Sequence, residues 1–254
     1  MTIERLEEAR ENGYGRNYIV GSHPHGIFCI GVFTSFCTNA TNFQELFPGL
    51  EPNLLTLNIN FLFPFRRELG IGLGGVESSP SSLSWLLTNP PNSKENSGRI
   101  IAIVVGGGEE ALDSHPGNYT LNLKNRKGFC KYALKYGADL VPSYSFGENN
   151  SYEHPENPHG SLLRTIQTRL TKMFGFIPLF LRGSSPFNNG VGILPRRVPI
   201  TTVIGAPIRV EKVENPSQKM IDDLHARYCD ALVELFESHK NDYNVPKNVY
   251  LKIN

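Results

Sequence analysis

Two histidines, two residues apart, follow the first apolar run of the chain. Residues 18–20 read YIV, a Gly-Ser pair comes next, and residues 23–26 read HPHG. An imidazole suits general-base chemistry because its pKa lies near neutrality. The carboxyl end of a strand is also the usual place for a site in an open α/β sheet. His23 and His25 are therefore candidate catalytic bases.

Two other roles for these histidines stay open. They could be structural residues whose ring nitrogens are satisfied inside the fold, or they could bind a metal ion. Metal binding is less favoured, because no Cys or His cluster lies at ligand spacing. The sequence therefore predicts no metal site, and the general-base role needs a polar or acidic group that orients the imidazole.

A glycine turn followed by two acidic residues is the second feature. Residues 104–112 read VVGGGEEAL, so that Gly106, Gly107 and Gly108 stand between a β-branched run and Glu109-Glu110. Such glycines let backbone N–H groups approach an oxyanion or a phosphate, which a helix N-terminus also favours. Glu110, followed by Glu109, is the candidate carboxylate that orients a histidine. The alternative is a tight strand-to-helix turn whose acids only match the helix dipole, and no P-loop is present because no Gly-Lys-[Ser/Thr] follows.

A basic segment is the third feature. Arg126 and Lys127 open a predicted helix and precede Gly128 and Phe129, in the sequence NRKGF. Lysines at 127, 131 and 135 recur every four residues and so share one helix face. A cationic helix start could hold a phosphorylated ligand. The alternative is a solvated lysine face.

Alternating strand and helix signals surround these motifs. Unbroken apolar runs predict strands at 18–20, 99–105, 138–142 and 199–204. Amphipathic patterns predict helices over 126–136, with Gly137 as the stop, and over 160–174. A last helix is predicted to start at Asn215-Pro216, and its apolar stripe is expected to comprise Met220, Ile221, Leu224, Tyr228, Leu232 and Leu235 or Phe236.

This alternation predicts one α/β domain over residues 1–254, with a mostly parallel central sheet and flanking helices. The formal net charge of +1, from 25 Lys and Arg against 24 Asp and Glu, argues against a protein that binds nucleic acid through bulk charge. Hydrophobic residues at 39% exclude wholesale disorder. Four cysteines without a CxxC pair predict reduced thiols.

The longest apolar stretches are too short to span a bilayer. No run of 18 apolar residues occurs. Residues 54–65 (LLTLNINFLFPF) and 173–181 (MFGFIPLFL) are either buried strands or an apolar surface that rests on a membrane.

The three motifs, in this order, resemble the mono- and diacylglycerol O-acyltransferase family, the diacylglycerol acyltransferase type 2 family. The resemblance rests on HPHG at 23–26, GGGEEALDSHPG at 106–117 and RKGFCKYALKYGADLVPSYSFGEN at 126–149. It continues through PITTVIGAPI at 199–208 and ALVELFESHKNDYNVP at 231–246. NRKGF, and GEN followed by a loop and LLRTIQTRL, look closest to the 2-acylglycerol O-acyltransferase branch.

The resemblance implies an acyl-CoA-dependent O-acyltransferase that acylates the hydroxyl of mono- or diacylglycerol in triacylglycerol synthesis. It implies a glycerolipid-acyltransferase-like fold and direct attack on the thioester without an acyl-enzyme. His23, slightly ahead of His25, is then the base, because the base of the wider acyltransferases follows a strand end in the same way. No metal and no cofactor are implied, since acyl-CoA is a substrate.

The resemblance also implies which residues bind the substrates and where the protein works. Backbone N–H groups at Gly26 or at 106–108 would face the oxyanion, and Arg126, Lys127, Gly128 and Phe129 would bind substrate. The partners are acyl-CoA, acylglycerol and a membrane or lipid-droplet surface, with no nucleic acid. The expected location is the cytosolic face of the endoplasmic reticulum membrane, and lipid droplets are a second location.

Two departures from the family accompany this resemblance. Family members usually begin with a hydrophobic membrane segment, and residues 1–14 are instead expected to be a charged lead-in without one. The wider acyltransferases place an Asp after the His with four residues between, where this chain has Phe28 and Ile30.

Several other functions stay open. They are a wax-alcohol acyltransferase, a catalytically inactive lipid-binding module, and a hydrolase with Cys29 or a serine as nucleophile. The hydrolase is disfavoured, because neither Gly-x-Ser-x-Gly nor a Cys-His signature is present.

Overall fold

The computed structural model describes residues 16–62, 64–92, 97–174, 181–185 and 192–254. The strands in this part of the chain are β1 (Tyr18–His23), β2 (Leu50–Thr56), β3 (Gly75–Glu77), β4 (Gly98–Val104), β5 (Thr120–Leu121), β6 (Asp139–Phe146), β7 (Thr201–Ile204) and β8 (Lys252–Ile253). Six of them form one sheet in the order β3-β2-β4-β1-β6-β7, and β5 pairs with β8 in a separate parallel ladder. The pairings in the large sheet are parallel except that β7 runs antiparallel to β6. The predicted mostly parallel sheet is therefore confirmed.

Helices cover both faces of the large sheet. The described helices are α1 (Ile30–Cys37), α2 (Phe43–Leu46), α3 (Arg66–Gly72), α4 (Pro80–Thr88), α5 (Gly107–Leu112), α6 (Gly128–Tyr136), α7 (Leu162–Phe174) and α8 (Gln218–His239). Short 3₁₀ turns occur at Asn58–Phe61, Glu148–Asn150 and Lys240–Tyr243. Within the described ranges, no helix has both the length and the apolar character needed to cross a membrane.

The core lies in two layers, one on each face of the sheet. Ile19 and Ile101 point into the larger layer, where side chains of α4, α6 and α8 pack against them. Val20 and Ala102, their neighbours in sequence, point into the smaller layer beside Val32 of α1. Alternate residues of a strand face opposite sides of a sheet. Burial on both faces therefore explains why β1 and β4 read as unbroken apolar runs.

The last helix starts later than the sequence predicted. The chain at Ser217 is extended, and its hydroxyl accepts a hydrogen bond from the backbone N–H of Met220, so Ser217 is the N-cap in place of Asn215. The cap lies two residues beyond the predicted one because the Ser217 hydroxyl is the oxygen that accepts from the first turn of the helix. The predicted stripe is buried except for Met220, which is 37% exposed because it lies in the first turn.

The two apolar stretches predicted to be either buried strands or membrane-contacting surface differ in how much of them the structure describes and buries. In the first, Leu54 and Leu55 are buried in β2, whereas Leu62 and Phe65 beyond the strand are exposed. In the second, residues 175–180 lie outside the described part of the chain, and Met173 at its start is exposed. The first stretch is thus a buried strand that continues into an exposed apolar segment.

Candidate active site

The sequence motifs meet at one edge of the sheet. Because β1, β4 and β6 are parallel neighbours, their carboxyl ends lie side by side. The HPHG loop follows β1, the glycine turn follows β4, and Glu148 follows β6. We call this the carboxyl edge. It is the side of an open α/β sheet where ligands bind.

His23 is the last residue of β1, and its ring is completely buried. Its Nε2 atom lies 3.1 Å from the hydroxyl oxygen of Tyr228 in α8. Its Nδ1 atom is buried and has no hydrogen-bond partner among the described residues. Burial lowers the pKa of His23 to about 3, because the charged imidazolium loses its hydration. The ring is therefore neutral at pH 7 and carries a lone pair.

His25 is half-buried, and its ring contacts its own loop. Its Nδ1 atom lies 2.9 Å from the carbonyl oxygen of Gly26. A carbonyl oxygen only accepts, so Nδ1–H is the donor and Nε2 carries the lone pair. The thiol sulfur of Cys29 lies 3.5 Å from Nδ1. Burial lowers the pKa of His25, so this ring is also neutral at pH 7.

Glu110 holds the backbone of the HPHG loop. One carboxyl oxygen accepts the backbone N–H of His25 at 2.7 Å, and the other accepts the backbone N–H of Asn122 at 2.7 Å. Glu110 thus bonds the main chain at His25, where the sequence suggested that it orients a ring. Burial raises its pKa to about 7 despite these two hydrogen bonds. Glu109 turns away and pairs with Arg164 of α7 at 3.1 Å.

Glu148 is a buried carboxyl group that the sequence analysis did not single out. Its two oxygens accept the backbone N–H groups of Ile30 and Gly31 at 2.8 and 2.7 Å, and so cap the first turn of α1. Burial raises its pKa to about 7. Gly26 has φ +59°, and a Cβ there would lie 2.5 Å from Cγ of Glu148. Glycine at that position therefore lets the carboxyl reach α1.

The glycine turn and Arg126 lie together at the carboxyl edge. Gly106 precedes the first turn of α5, and the Glu110 carboxyl occupies the space where a Gly106 side chain would be. Arg126 is exposed, and its Nη2 atom would lie 3.5 Å from a Cβ at Gly107. The guanidinium therefore lies over the glycine turn, where a bound anion could contact it.

The other residues of the basic segment do not lie over the glycine turn. Lys127 pairs with Asp222 of α8 at 2.7 Å, so its charge is already engaged. Gly128 begins α6 and is exposed. Phe129 is buried and packs edge-on against Tyr228, with ring centroids 4.8 Å apart. Of the four residues expected to bind substrate here, Arg126 is the one that lies over the glycine turn. Phe129 instead packs against the Tyr228 ring.

Comparison with known proteins places the chain in a family. A family model described as diacylglycerol acyltransferase matches residues 4–254. The chain belongs to that family. It is 47% identical over 234 residues to 2-acylglycerol O-acyltransferase 1 of Bos taurus, 46% over 240 to diacylglycerol O-acyltransferase 2 of Mus musculus, and 44% over 239 to diacylglycerol O-acyltransferase 2 of Dictyostelium discoideum.

The match covers most of this chain and part of each relative. The three alignments cover 91%, 94% and 94% of this chain, and 68%, 61% and 71% of the relatives. The chain therefore spans less than two thirds of the mouse protein's length. The cattle 2-acylglycerol O-acyltransferase 1 and the mouse diacylglycerol O-acyltransferase 2 differ by one percentage point in their identity to the chain. No solved structure matches the chain significantly. The family predicted from the motifs is confirmed.

The HPHG loop lies beside a thiol that stays protonated. Burial raises the pKa of Cys29 well above its usual value, and the nearby carboxyl groups of Glu148 and Glu110 raise it further. A thiol is a weak nucleophile compared with its thiolate. This environment argues against Cys29 as a covalent nucleophile. Among the described residues, no group of three or more His, Cys, Asp or Glu side chains is arranged to hold a metal ion.

A second polar network adjoins the acyltransferase motifs. The carboxyl group of Asp113 accepts hydrogen bonds from Arg164 at 2.6 Å and from the Asn122 side chain at 3.3 Å. Asn122 in turn donates its backbone N–H to Glu110. The network therefore connects α7 to the HPHG loop through the carboxyl groups of Asp113 and Glu110. Sequence patterns missed it because Arg164 lies 51 residues beyond Asp113 in the chain.

Proposed function

We propose that the protein transfers a fatty acyl group from acyl-CoA to the hydroxyl of mono- or diacylglycerol, a step of triacylglycerol synthesis. The observation that carries this proposal is the family match over residues 4–254, together with relatives named as acylglycerol O-acyltransferases. The neutral imidazoles at the carboxyl edge support it, because acyl transfer to a hydroxyl needs a base for the hydroxyl proton.

In the proposed step, the acceptor oxygen attacks the thioester carbonyl directly. An imidazole lone pair takes the hydroxyl proton as the new C–O bond forms. The tetrahedral intermediate then expels CoA by breaking the C–S bond, and the imidazolium returns its proton to the thiolate. We favour Nδ1 of His23 as the base, since it is a buried lone pair without a partner among the described residues. Nε2 of His25 is the other available lone pair.

Backbone N–H groups would stabilise the oxyanion of that intermediate. Gly106 is the N-cap of α5, and Gly107 and Gly108 begin it. The first turn of a helix has N–H groups without intrahelical partners. Gly26 is the other candidate donor, next to His25. The carboxyl of Glu110 lies against Gly106, and its raised pKa reduces the negative charge that an oxyanion would meet there.

Arg126 is proposed to bind a phosphate of CoA. Arg126→Ala is expected to raise KM for acyl-CoA about tenfold to a hundredfold, because a hydrogen bond to a charged group contributes roughly 1.5–3 kcal/mol. The kcat should change by less than about threefold, since the interaction is the same in ground and transition states. Lys131→Ala, an exposed cation on the same segment, is the control and should leave KM unchanged. An unchanged KM in Arg126→Ala contradicts this assignment.

We further propose that exposed apolar residues after β2 bind a lipid surface. Leu62, Phe65 and Leu69 are 68%, 89% and 62% exposed, and they follow a strand that ends at the carboxyl edge. Such a cluster is unusual on a protein surface and is typical of an interaction site. Both substrates are lipids, so a site that opens beside a membrane would receive them directly. The expected location is the cytosolic face of the endoplasmic reticulum or a lipid droplet.

Vesicle binding tests this surface. Replacing Leu62, Phe65 and Leu69 by serine is expected to weaken binding to phosphatidylcholine vesicles at least about tenfold, since each buried apolar side chain contributes roughly 1.5–3 kcal/mol. Phe65→Ser alone should show a smaller loss. Tyr250→Ser, a matched control on the C-terminal segment with a 64% exposed ring, should bind normally. Co-sedimentation measures all variants, and equal binding by the triple variant and wild type contradicts the surface.

A direct assay tests the proposed activity. The protein is incubated with labelled acyl-CoA and with monoacylglycerol, diacylglycerol or a long-chain alcohol in parallel, in membranes. Transfer to an acylglycerol supports the proposal and identifies the acceptor. Transfer to the alcohol alone indicates a wax-alcohol acyltransferase, and no transfer to any acceptor, with acyl-CoA still bound, indicates a lipid-binding module.

A further inference from the structure

We propose that Tyr228 is a positioning residue that fixes the tautomer of His23, so that Nε2 holds the ring proton and Nδ1 offers the lone pair. This inference rests on the proposed function, because it gives the buried histidine its role as base. It assigns to the last helix of the domain a part in the chemistry at the HPHG loop.

The hydroxyl of Tyr228 has two neighbours and one hydrogen. Its oxygen lies 3.0 Å from the carbonyl oxygen of Gly21 and 3.1 Å from Nε2 of His23. A carbonyl oxygen cannot donate, so the phenol hydrogen points to Gly21. The phenol oxygen can then only accept from His23. Nε2 must therefore carry the proton.

The environment of Nδ1 supports the same tautomer. Nδ1 of His23 is buried and has no partner among the described residues. If Nδ1 carried the proton, a buried N–H would be left without an acceptor, which is rare and costs its full desolvation. Burying a nitrogen lone pair without a donor costs less free energy than burying an N–H without an acceptor. Both nitrogens thus favour Nε2–H, and Nδ1 is left able to receive a substrate proton.

The phenol is held in place from several sides. Tyr228 and His23 are both completely buried. A side chain at Gly21 would collide with the Tyr228 hydroxyl, so this glycine makes the space that the hydroxyl occupies. The ring of Phe129 packs edge-on against the phenol at 72°. A packed, hydrogen-bonded partner of this kind limits rotation of the imidazole.

A tyrosine here takes the place of the carboxylate that usually orients a catalytic histidine. Glu110 is occupied by the backbone of His25 and Asn122. Burial raises the pKa of Tyr228 well above its usual value, so the phenol stays neutral. A neutral partner fixes the tautomer of His23 without adding charge to a buried site. The role of Tyr228 explains how His23 can be oriented although no aspartate follows it in the HPHG loop.

The tautomer can be read directly by NMR. Long-range ¹H–¹⁵N spectra of the ¹⁵N-histidine-labelled full chain distinguish Nδ1–H from Nε2–H, and His23→Ala assigns the signals of His23. We expect Nε2–H in the wild type at pH 7. In Tyr228→Phe, the acceptor for Nε2–H is gone, so the spectrum should change to a mixture of tautomers or to Nδ1–H. A wild-type spectrum that shows Nδ1–H overturns the proposal.

Kinetics test whether this tautomer serves catalysis. Tyr228→Phe is expected to lower kcat about 10–100-fold, as loss of an orienting partner does, with both KM values within about twofold. Tyr136→Phe, which removes another ring hydroxyl from the helix packed against α8, is the matched control and should keep wild-type kcat. A thermal unfolding curve for each variant separates a loss of fold from a loss of positioning.

The outcomes distinguish this inference from the proposed function. Wild-type kcat in a folded Tyr228→Phe protein overturns the inference, whatever its spectrum shows. The spectrum needs no substrate, so it reads the tautomer even if the wild type transfers no acyl group. A wild-type protein that transfers no acyl group overturns the proposed function, and with it the catalytic role of the tautomer.

Discussion

His23→Ala is expected to lower kcat by about 10²–10⁴-fold, the usual contribution of a general base. KM for acyl-CoA should change by less than about threefold, because the imidazole acts on the hydroxyl proton and does not bind the CoA phosphates. The loss follows from the geometry at the end of β1, where Nδ1 is an unpartnered lone pair among the described residues. Steady-state assays with the preferred acceptor measure it.

The second histidine is the internal comparison. His25→Ala removes a ring that bonds its own loop at Gly26, so we expect a loss of about tenfold or less, typical of disturbed positioning. His239→Ala, at the end of α8 with a ring that contacts the Leu235 carbonyl of its own helix, is the control and should retain activity. A larger loss in His25→Ala than in His23→Ala would assign the base to His25 and contradict our preference.

The pH profile offers an independent check of the same base. A histidine base is active when neutral, and burial lowers the pKa of His23 to about 3. Its neutral form is therefore populated at every pH above about 4. The acidic limb of kcat should stay flat from pH 8 to pH 5, where an ordinary histidine of pKa 6.5 would already have lost most of its activity. A fall centred near pH 6.5 that persists in Glu110→Gln contradicts a buried His23 as base, because that variant removes the carboxyl of raised pKa that holds the HPHG loop.

Local patterns were sufficient to predict the fold class and the strand ends that carry the candidate site residues. The run at 99–105 is apolar and β-branched because β4 is buried on both faces, and such a strand is recognised without any partner. The glycines at 106–108 mark the turn that follows it. Because parallel strands end at the same edge, the pairing of β1 with β4 and β6 brings these motifs together.

Tertiary contacts were beyond the reach of those patterns. Tyr228 was correctly predicted to be buried in the stripe of the last helix, yet its hydroxyl bonds a histidine 205 residues away. The carboxyl of Glu148 caps a helix 117 and 118 residues earlier in the chain. Helical periodicity predicts which face is buried, but it does not predict what a polar atom meets there.

Two buried carboxyl groups should make stability depend on pH. Burial raises the pKa of both Glu110 and Glu148 from 4.5 to about 7. A raised pKa means that the folded state holds the proton more tightly than the unfolded state. The resulting stabilisation is complete below pH 4.5 and is lost as pH rises through 7. The free energy of unfolding should therefore fall between pH 5 and pH 8, by up to about 1 kcal/mol per pH unit for each group.

Glu148→Gln isolates one of the two groups. The amide does not titrate, so the pH slope of the unfolding free energy should fall to about half that of the wild type. At pH 5 the variant should be less stable by about 1–3 kcal/mol. The amide NH₂ that replaces one carboxyl oxygen cannot accept from Ile30 or Gly31, whereas both oxygens of a protonated carboxyl still can. At pH 8 this difference should shrink, since the wild-type carboxylate is then charged and buried.

Urea denaturation at several pH values measures these free energies. Glu156→Gln, at an exposed position in the loop that follows Glu148, is the matched control and should keep the wild-type slope. An unchanged slope in Glu148→Gln would mean that Glu148 remains charged throughout this range, held by its two backbone donors against the cost of burial. The same variant would then lose equal stability at pH 5 and pH 8. The comparison therefore decides whether burial or the two backbone donors sets the protonation state of Glu148.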